Sequence, residues 1–281
     1  MSLEVDTATI SPAVEAELSY LAPTAERPRN YADDPPPGIP RTNISHETHR
    51  VVIRDLRTAA TAPSLDREGF EAIDHRSAVR DFFDDEEVRH VYYPEAEQLL
   101  KRVTGADRVF VFDATVRRRV PGVEDRRDGP RQPALRVHVD HTTTSGPQRV
   151  RDLLPDEADE LLLWRVQIIN IWRPIHGPLR DYPLAVADAR SVSAKDLVSG
   201  DLVYRHRIGE TYNVTYNPAH RWFYLSQMRP DEALLLKCYD SLDGGQARFA
   251  PHTAFADPTT PPDAPLRESI ELRTLVFHRA G

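Results

Sequence analysis

With 281 residues, of which 40% are hydrophobic, the chain is long enough to bury a substantial core, and all-β barrels of this size often form one domain. Its formal net charge of −8 disfavours nucleic acid and anionic membrane surfaces as partners. A mean hydropathy of −0.52, without an apolar run of about 18 residues, argues against a membrane-spanning helix. These properties predict a protein that binds neither nucleic acid nor membranes.

The cysteine content and the first residues of the chain indicate the cellular compartment of the protein. Cys238 is the only cysteine, so neither an intramolecular disulfide nor a cysteine-based zinc site can form. The start of the chain is acidic and lacks the basic and apolar segments of a secretory signal. Together these features predict a cytoplasmic protein, and they make no prediction about its oligomeric state.

Residues 1–48 are rich in proline, which prevents long helices and favours extended backbone. The prolines are Pro12, Pro23, Pro28, Pro35, Pro36, Pro37 and Pro40. We expect an N-terminal arm that packs on the surface of the main body, is partly disordered, or closes over a site. Residues 49–281 would then form the main domain.

The predicted secondary structure changes from mixed to mostly β along the chain. Helical spacing of apolar residues predicts two helices within 81–105, separated near Pro94, with Gly105 ending the second. A third helix is predicted over 150–162, and a loop rich in arginine over 117–131. Alternating or β-branched runs predict strands at 50–55, 109–113, 136–140, 166–174, 183–188, 202–204, 210–216, 221–225, 233–239 and 269–277. This order indicates a mainly β fold with flanking helices around a double-stranded β-helix, the jelly-roll core of cupin-like proteins.

A first candidate site lies in the strand predicted at 136–140. His138 and Asp140 are two residues apart, so in a strand their side chains project from the same face. An imidazole beside a carboxylate supplies two of the three ligands in the 2-His-1-carboxylate triad of non-haem Fe(II) oxygenases. Because the chain has 11 histidines and aspartate at about one position in eleven, about one such pair is expected by chance. The pair is therefore informative only together with further ligands.

Two downstream features could complete such a centre. His252 lies where a later strand of the same barrel could bring a third ligand, although a lone histidine between apolar residues can equally be a core residue. Arg267 and Ser269 follow about fifteen residues later and share a strand face, where a guanidinium and a hydroxyl could bind a carboxylate together. Alone, they could equally be an exposed strand edge. The order of all three features is more specific than its parts.

Beyond these residues, the chain resembles a branch of the Fe(II)/2-oxoglutarate-dependent dioxygenases. This branch includes a cephamycin hydroxylase component, a fungal gibberellin desaturase and a fungal meroterpenoid endoperoxide-forming enzyme. The resemblance begins at about residue 65 and is carried by segments 92–95, 109–113 with 117–119, 137–140, 170–174, 184–186 with 188–191, 237–241, 251–255 and 267–273. Ala114 and His141 depart from the family pattern, in which histidine and tyrosine are common, so we expect a pocket of different shape.

The resemblance implies that His138, Asp140 and His252 bind Fe(II), and that Arg267, assisted by Ser269, binds the distal carboxylate of 2-oxoglutarate. It implies an oxygenase that hydroxylates or desaturates a small-molecule intermediate of natural-product biosynthesis. In that reaction O2 is consumed and 2-oxoglutarate is decarboxylated to succinate. A polar, an aromatic and a basic residue at the end of a buried strand are further pocket candidates, as are two tyrosines: Asn170, Trp172, Arg173, Tyr212 and Tyr224.

Two other functions remain compatible with these residues. A non-catalytic jelly-roll protein could bind a metabolite or a partner enzyme, and a zinc or manganese cupin-like hydrolase or isomerase could use the same ligands. Motifs of several other enzyme classes do not occur in the sequence, namely Gly-x-Gly-x-x-Gly, a Walker loop, His-Glu-x-x-His and Gly-x-Ser-x-Gly. The residues do not choose among hydroxylation, desaturation and ring or peroxide formation.

Overall fold

A computed structural model describes residues 11–125 and 131–279, and in these ranges the chain is mainly β. The first seven strands are β1 (Ala13–Leu21), β2 (Arg29–Tyr31), β3 (His46–Asp55), β4 (Phe70–Asp74), β5 (Arg108–Arg118), β6 (His138–Val139) and β7 (Arg165–Pro174). The next seven are β8 (Leu184–Ala187), β9 (Leu197–Val203), β10 (Ile208–Val214), β11 (Trp222–Tyr224), β12 (Glu232–Asp240), β13 (His252–Ala254) and β14 (Glu268–His278). The α-helices are α1 (Asp85–Glu87), α2 (Tyr93–Thr104), α3 (Ser145–Leu153) and α4 (Ala158–Leu161).

The strands form two sheets that enclose an apolar core. The larger sheet has the order β1-β3-β11-β8-β13-β6-β10-β9-β2, and the smaller has the order β4-β12-β7-β14-β5. Trp172 and Leu234 of the smaller sheet belong to one buried cluster with Val186 of the larger sheet, so the sheets face each other. This is the predicted mainly β jelly-roll with flanking helices.

The N-terminal segment is part of the larger sheet. β1 pairs with β3 along its whole length, and isolated bridges join Ser19 to Arg136 and Leu21 to Thr215. The larger sheet therefore curls until its first strand meets β6 and the end of β10. The division of the chain into an arm and a domain at residue 48 stays a prediction, and β3 runs across that position.

The helical region before β5 is more continuous than predicted. α1 is followed directly by a π-helical turn, Val88–Tyr92, and then by α2. Pro94 lies in the first turn of α2, directly after the π-helical turn, so the helical segment runs across the proline without the predicted separation. Gly105 ends α2 with φ of 71°, the left-handed conformation that the sequence predicts for a glycine there.

The single helix predicted over 150–162 is wrong, because α3 and α4 are separate helices. Between them, Leu154 leaves the helical conformation with φ −132° and ψ 54°. Leu154 precedes Pro155, whose ring disfavours helical backbone in the residue before it. The two short helices bury the apolar residues of this segment at one end of the core. These residues are Val150 in α3 and Ala158 and Leu161 in α4.

Part of the predicted arginine-rich loop is a strand. Arg117 and Arg118 belong to β5 and pair with Ser269 and Glu268 of β14, whereas residues 126–130 lie outside the described residues. A regular strand accommodates charged side chains when alternate residues face solvent or a polar site. None of the helices in the described ranges is long and apolar enough to cross a bilayer.

Candidate active site

The three residues proposed as ligands meet at one point between the sheets. His138 on β6 is directly opposite His252 on β13 in the antiparallel ladder, and their ring centroids are 4.5 Å apart. Asp140 follows β6, and its Oδ1 lies 3.4 Å from His138 Nε2. One potential ligand atom from each residue lies within 4.8 Å of the other two. The sheet register therefore brings together residues that are far apart in the chain.

Both imidazoles are oriented by backbone carbonyls. His138 Nδ1 is 2.8 Å from the carbonyl oxygen of Arg136, and His252 Nδ1 is 3.0 Å from that of Ala250. A carbonyl oxygen can only accept, so Nδ1 carries the proton in each ring and Nε2 keeps its lone pair. This is the usual way in which a ligand histidine is fixed for a metal.

Asp140 is held by two donors that leave one oxygen free. Its Oδ2 accepts hydrogen bonds from Asn170 Nδ2 at 2.9 Å and from Arg273 Nε at 2.8 Å. Oδ1 is the oxygen that faces the imidazole of His138. The carboxylate thus has its orientation set by the smaller sheet, and it presents a single oxygen toward the two histidines.

The protonation states at this point suit a divalent cation. Burial lowers the pKa of His138 to about 4, and the charges of Arg136 and His252 act in the same direction. Burial would raise the pKa of Asp140, but Arg273 and His138 together lower it well below its usual value. A neutral imidazole and an ionised carboxylate are therefore present at neutral pH, and two nitrogens with one oxygen are the donor set of the Fe(II) facial triad.

The proposed 2-oxoglutarate anchor is buried close to Trp172. Arg267 precedes β14, its Nε donates to Ser269 Oγ at 3.1 Å, and its Nη1 donates to the carbonyl of Tyr182 at 2.8 Å. The guanidinium lies 4.9 Å from the centre of the Trp172 ring. Within the described ranges, no carboxylate forms an ion pair with this side chain, so its charge is available to an anion.

Strand alternation separates the three candidates at the end of β7. Asn170 contacts Asp140, and Trp172 lies two residues further along the same face. Arg173 faces the other way, because its guanidinium lies 4.9 Å from the Tyr92 ring and contacts His75. The structure therefore brings Asn170 and Trp172 toward the ligands but places Arg173 under α2.

The two tyrosine candidates lie away from the ligands. Tyr212 packs edge-on against Phe249, with ring centroids 5.1 Å apart. Tyr224 is opposite Ala185, whereas its neighbour Phe223 is opposite Val186. His252 is also opposite Val186, so Tyr224 is on the reverse face of the larger sheet. Neither tyrosine lines the cavity at the ligands.

A cavity of about 870 Å³ includes His138, Asp140 and Arg273 in its wall. This volume is within the range of ligand pockets, about 300–1,000 Å³. Residues of the N-terminal segment, such as Tyr31 and Arg41, form another part of the wall. Arg267 and Ser269 do not belong to the wall, so their role as anchor depends on the proposal below.

Glu271 and Arg273 were not among the predicted site residues, although the sequence contains a pattern that indicates them. After Arg267 and Ser269, the same alternation continues to Glu271 and Arg273, with the apolar residues Ile270 and Leu272 in between. Glu271 Oε1 accepts from Asn170 Nδ2 at 2.9 Å, and Glu271 Oε2 is 2.9 Å from Arg273 Nη2. A strand with a polar residue at every second position has one polar face, so the pattern places Glu271 and Arg273 on the face that carries Arg267 and Ser269.

His141 is also buried in the cavity wall. Its ring meets Phe112 nearly edge-on, with centroids 6.4 Å apart. Burial lowers the pKa of His141 to about 4, so the ring is neutral at pH 7. This position, where the sequence departs from the family pattern, therefore shapes the cavity without adding charge.

Comparisons with known proteins agree with this site. The family model described as oxidoreductase/YMDC permease-like domain matches residues 18–277. The hydroxylase/desaturase efuI of Hormonema carpetanum is 35% identical, with 95% of this chain and 96% of that protein aligned. The Fe(II)/2-oxoglutarate-dependent dioxygenase nvfI of Aspergillus novofumigatus is 34% identical, with 94% of this chain and 96% of that protein aligned.

A solved structure extends the agreement to the fold. It is a variant of the iron and alpha-ketoglutarate-dependent endoperoxidase NvfI, which has a TM-score of 0.88 and 31% identity over 96% of this chain and 99% of that chain. The resemblance inferred from sequence segments is thereby confirmed over nearly the whole chain. The chain belongs to the family of Fe(II)/2-oxoglutarate-dependent dioxygenases and hydroxylase/desaturases.

Proposed function

We propose that this protein is an Fe(II)/2-oxoglutarate-dependent oxygenase that hydroxylates or desaturates a small-molecule intermediate of natural-product metabolism. The observation that carries the proposal is the convergence of His138, Asp140 and His252, whose ligand atoms lie within 4.8 Å of one another. Family membership makes the protein an oxidoreductase that uses Fe(II), 2-oxoglutarate and O2. We place its activity in the cytoplasm, and the absence of a nucleic-acid partner stays a prediction.

In this proposal the three ligands hold Fe(II), and the surrounding groups keep them in place. The bound metal supplies the activation of O2 that couples decarboxylation of 2-oxoglutarate to oxidation of a C–H bond. The carbonyls of Arg136 and Ala250 keep Nε2 of each imidazole directed at the metal position. Because three protein ligands occupy one face of the site, the opposite face is left for the co-substrates.

Arg267 and Ser269 would bind the distal carboxylate of 2-oxoglutarate. The support is that the Arg267 guanidinium is buried, lies against Trp172 and has no carboxylate partner in the described part of the chain. Arg273 is less suited to this role because Asp113, Asp140 and Glu271 already neutralise it. Trp172 would then support the anchor and not contact the reacting carbon.

The two alternative functions are less compatible with these observations. A binding protein without catalysis does not need a complete ligand set whose histidines are both fixed through Nδ1. A zinc or manganese hydrolase could use the same three residues, but the family relatives are named as dioxygenases and hydroxylase/desaturases.

Anaerobic titration tests the proposal. We expect Fe(II) followed by 2-oxoglutarate to give a weak visible charge-transfer band, and air to give succinate with consumption of O2. His252→Ala should lose both the band and the succinate, while Arg54→Ala, an exposed change outside the cavity, should keep them. A wild-type protein that shows neither, or that is active only with zinc, would contradict the proposal.

A further inference from the structure

The wall of the cavity is richer in positive than in negative charge, although the whole chain is acidic. Several cavity arginines are neutralised, since Arg273 binds Asp140, Arg131 binds Asp125 and Arg41 binds Asp34. Four others in the wall have no ion pair with any described residue: Arg117, Arg136, Arg149 and Arg207. Unpaired guanidinium groups in a half-buried wall indicate that the ligand of the cavity brings negative charge.

Among these arginines, Arg136 has the most direct connection to a proposed metal ligand. It precedes His138 by two residues, so a strand directs both side chains to one face, about 7 Å apart along the backbone. Its carbonyl holds the imidazole of His138, while its guanidinium belongs to the cavity wall. A group bound to this guanidinium would therefore lie beside the metal position.

The guanidinium of Arg136 lacks a partner within the described ranges. Its Nη1 is buried and forms no hydrogen bond. Asp140 and Asp125 are the carboxylates that act on it electrostatically, but Asp140 is bound to Arg273 and Asp125 to Arg131. A buried donor without an acceptor raises the free energy of the folded protein. An anion that accepts a hydrogen bond from it would therefore bind with a favourable free energy.

Arg149 occupies the part of the wall formed by α3. Its guanidinium lies 5.4 Å from the centre of the Phe112 ring, and both residues line the cavity. Apolar side chains complete this part of the lining, including Leu153 and Ile208. The wall thus combines unpaired positive charge with aromatic and aliphatic surface.

We propose that the substrate is an apolar small molecule that carries a carboxylate, and that Arg136 binds this carboxylate beside the metal. The inference rests on the proposed function, because the substrate occupies the same site. Arg149 adds positive potential and a cation next to the ring of Phe112, but it is not the main contact. The proposal separates two anions: Arg267 serves the co-substrate, and Arg136 serves the substrate.

A pair of probes that differ only in charge tests this proposal. Naphthalene-2-acetate and naphthalene-2-acetamide have nearly the same shape, and their affinities can be measured by calorimetry on anaerobic protein loaded with Fe(II) and 2-oxoglutarate. We expect the acid to bind about tenfold more tightly than the amide, as a charge-assisted hydrogen bond predicts. Equal affinities in the wild-type protein would overturn the proposal.

Variants test whether Arg136 is the residue responsible for the preference for the acid over the amide. Arg136→Gln should reduce the acid-to-amide ratio to near one, Arg136→Lys should keep part of it, and Arg149→Gln should lower it less. Arg54→Gln, an exposed arginine outside the cavity, should leave it unchanged. A ratio that survives both Arg136 variants would overturn the assignment, and Arg136→Lys serves as the test if Arg136→Gln does not fold.

The charge-transfer band keeps the two proposals distinguishable. If Arg136→Gln raises the 2-oxoglutarate concentration needed for half of the band as strongly as it lowers the probe ratio, Arg136 binds the co-substrate and the inference is wrong. If the wild-type protein forms no band but still prefers the acid, the substrate inference stands and the proposed reaction fails. Measuring the probe ratio with and without iron gives each result separately.

Discussion

Two buried arginines on one strand face show how the partners of a charged side chain decide its role. Arg267 and Arg273 are six residues apart, so alternation places both on the inner face. The guanidinium of Arg273 forms ion pairs with Asp113, Asp140 and Glu271. Burial would lower the pKa of Arg273, but these three carboxylates raise it well above its usual value.

Arg267 has the opposite environment. Burial lowers the pKa of Arg267, and the nearby charge of Arg117 adds to this effect. Its side-chain partners in the described ranges are the neutral groups of Ser269 and Tyr182. The comparison teaches that Arg273 is committed to the protein's own carboxylates and positions Asp140. Arg267 has no carboxylate partner among the described residues, which is why we propose it as the anchor for 2-oxoglutarate.

The largest loss of activity is expected for Asp140→Ala. This variant removes the carboxylate that binds Arg273 and that we propose as a metal ligand. We expect succinate release to fall to the iron-free background, because two imidazoles alone do not complete the ligand set. His138→Ala should give the same result. The fold should survive, as circular dichroism and thermal unfolding would show, since Arg273 keeps two carboxylates. Succinate release at the wild-type rate in either variant would exclude these ligands.

Arg273→Met should have the largest effect on stability, because it leaves buried carboxylates without their cation. We expect the free energy of unfolding to fall by about 3–5 kcal/mol, measured by urea denaturation. Affinity for Fe(II) should also fall, by about 10- to 100-fold, because Asp140 loses a donor. A loss of less than about 1 kcal/mol would show that the three ion pairs do not hold Arg273 in place.

Arg267→Ala tests the other side of the comparison. We expect the 2-oxoglutarate concentration for half of the charge-transfer band to rise about 100-fold, since charged hydrogen bonds are worth about 1.5–3 kcal/mol each. Stability should change less than in Arg273→Met, because no carboxylate among the described residues loses an ion-pair partner. An unaltered requirement for 2-oxoglutarate would move the anchor to a different arginine, and Arg117, whose charge acts on Arg267, would be the first to test.

Asn170→Ala should have the smallest effect of the four. It removes the amide that donates to Asp140 and Glu271, while Arg273 continues to hold both carboxylates. We expect Fe(II) affinity to fall by about tenfold without a change in the 2-oxoglutarate requirement, as measured by iron titration at saturating co-substrate. A shift in the 2-oxoglutarate requirement equal to that of Arg267→Ala would contradict this expectation and place Asn170 in the co-substrate site.

Local alternation of side chains along strands predicts much of the site. His138 with Asp140 and Arg267 with Ser269 are pairs whose shared face follows from strand geometry alone. The same pattern, continued for four residues, leads to Glu271 and Arg273. Alternation also predicts that Arg173 faces away from Asn170 and Trp172. Grouping the three residues by their polar, aromatic and basic character ignored this.

Interruptions and long-range pairings are harder to predict. Apolar spacing favours one helix over 150–162, but the backbone preference of Leu154 before Pro155 divides it. The proline-rich start of the chain carries no indication that β1 pairs with β3 over its whole length. Proline residues show where a helix cannot form. They do not show which strand an extended segment pairs with, because that depends on a sheet edge elsewhere in the chain.

The sequence by itself determined the strand-rich jelly-roll and the two faces of each strand, and it predicted the residues that we propose for binding a metal and a carboxylate. These are local properties, because side-chain direction and hydrophobic period are set within a few residues. Only the tertiary structure decided that His252 lies opposite His138, that Arg273 is neutralised and that Arg136 has no ion pair with any residue that the structure describes. Those facts depend on the register between distant strands, which is set by backbone pairing and core packing across the whole chain.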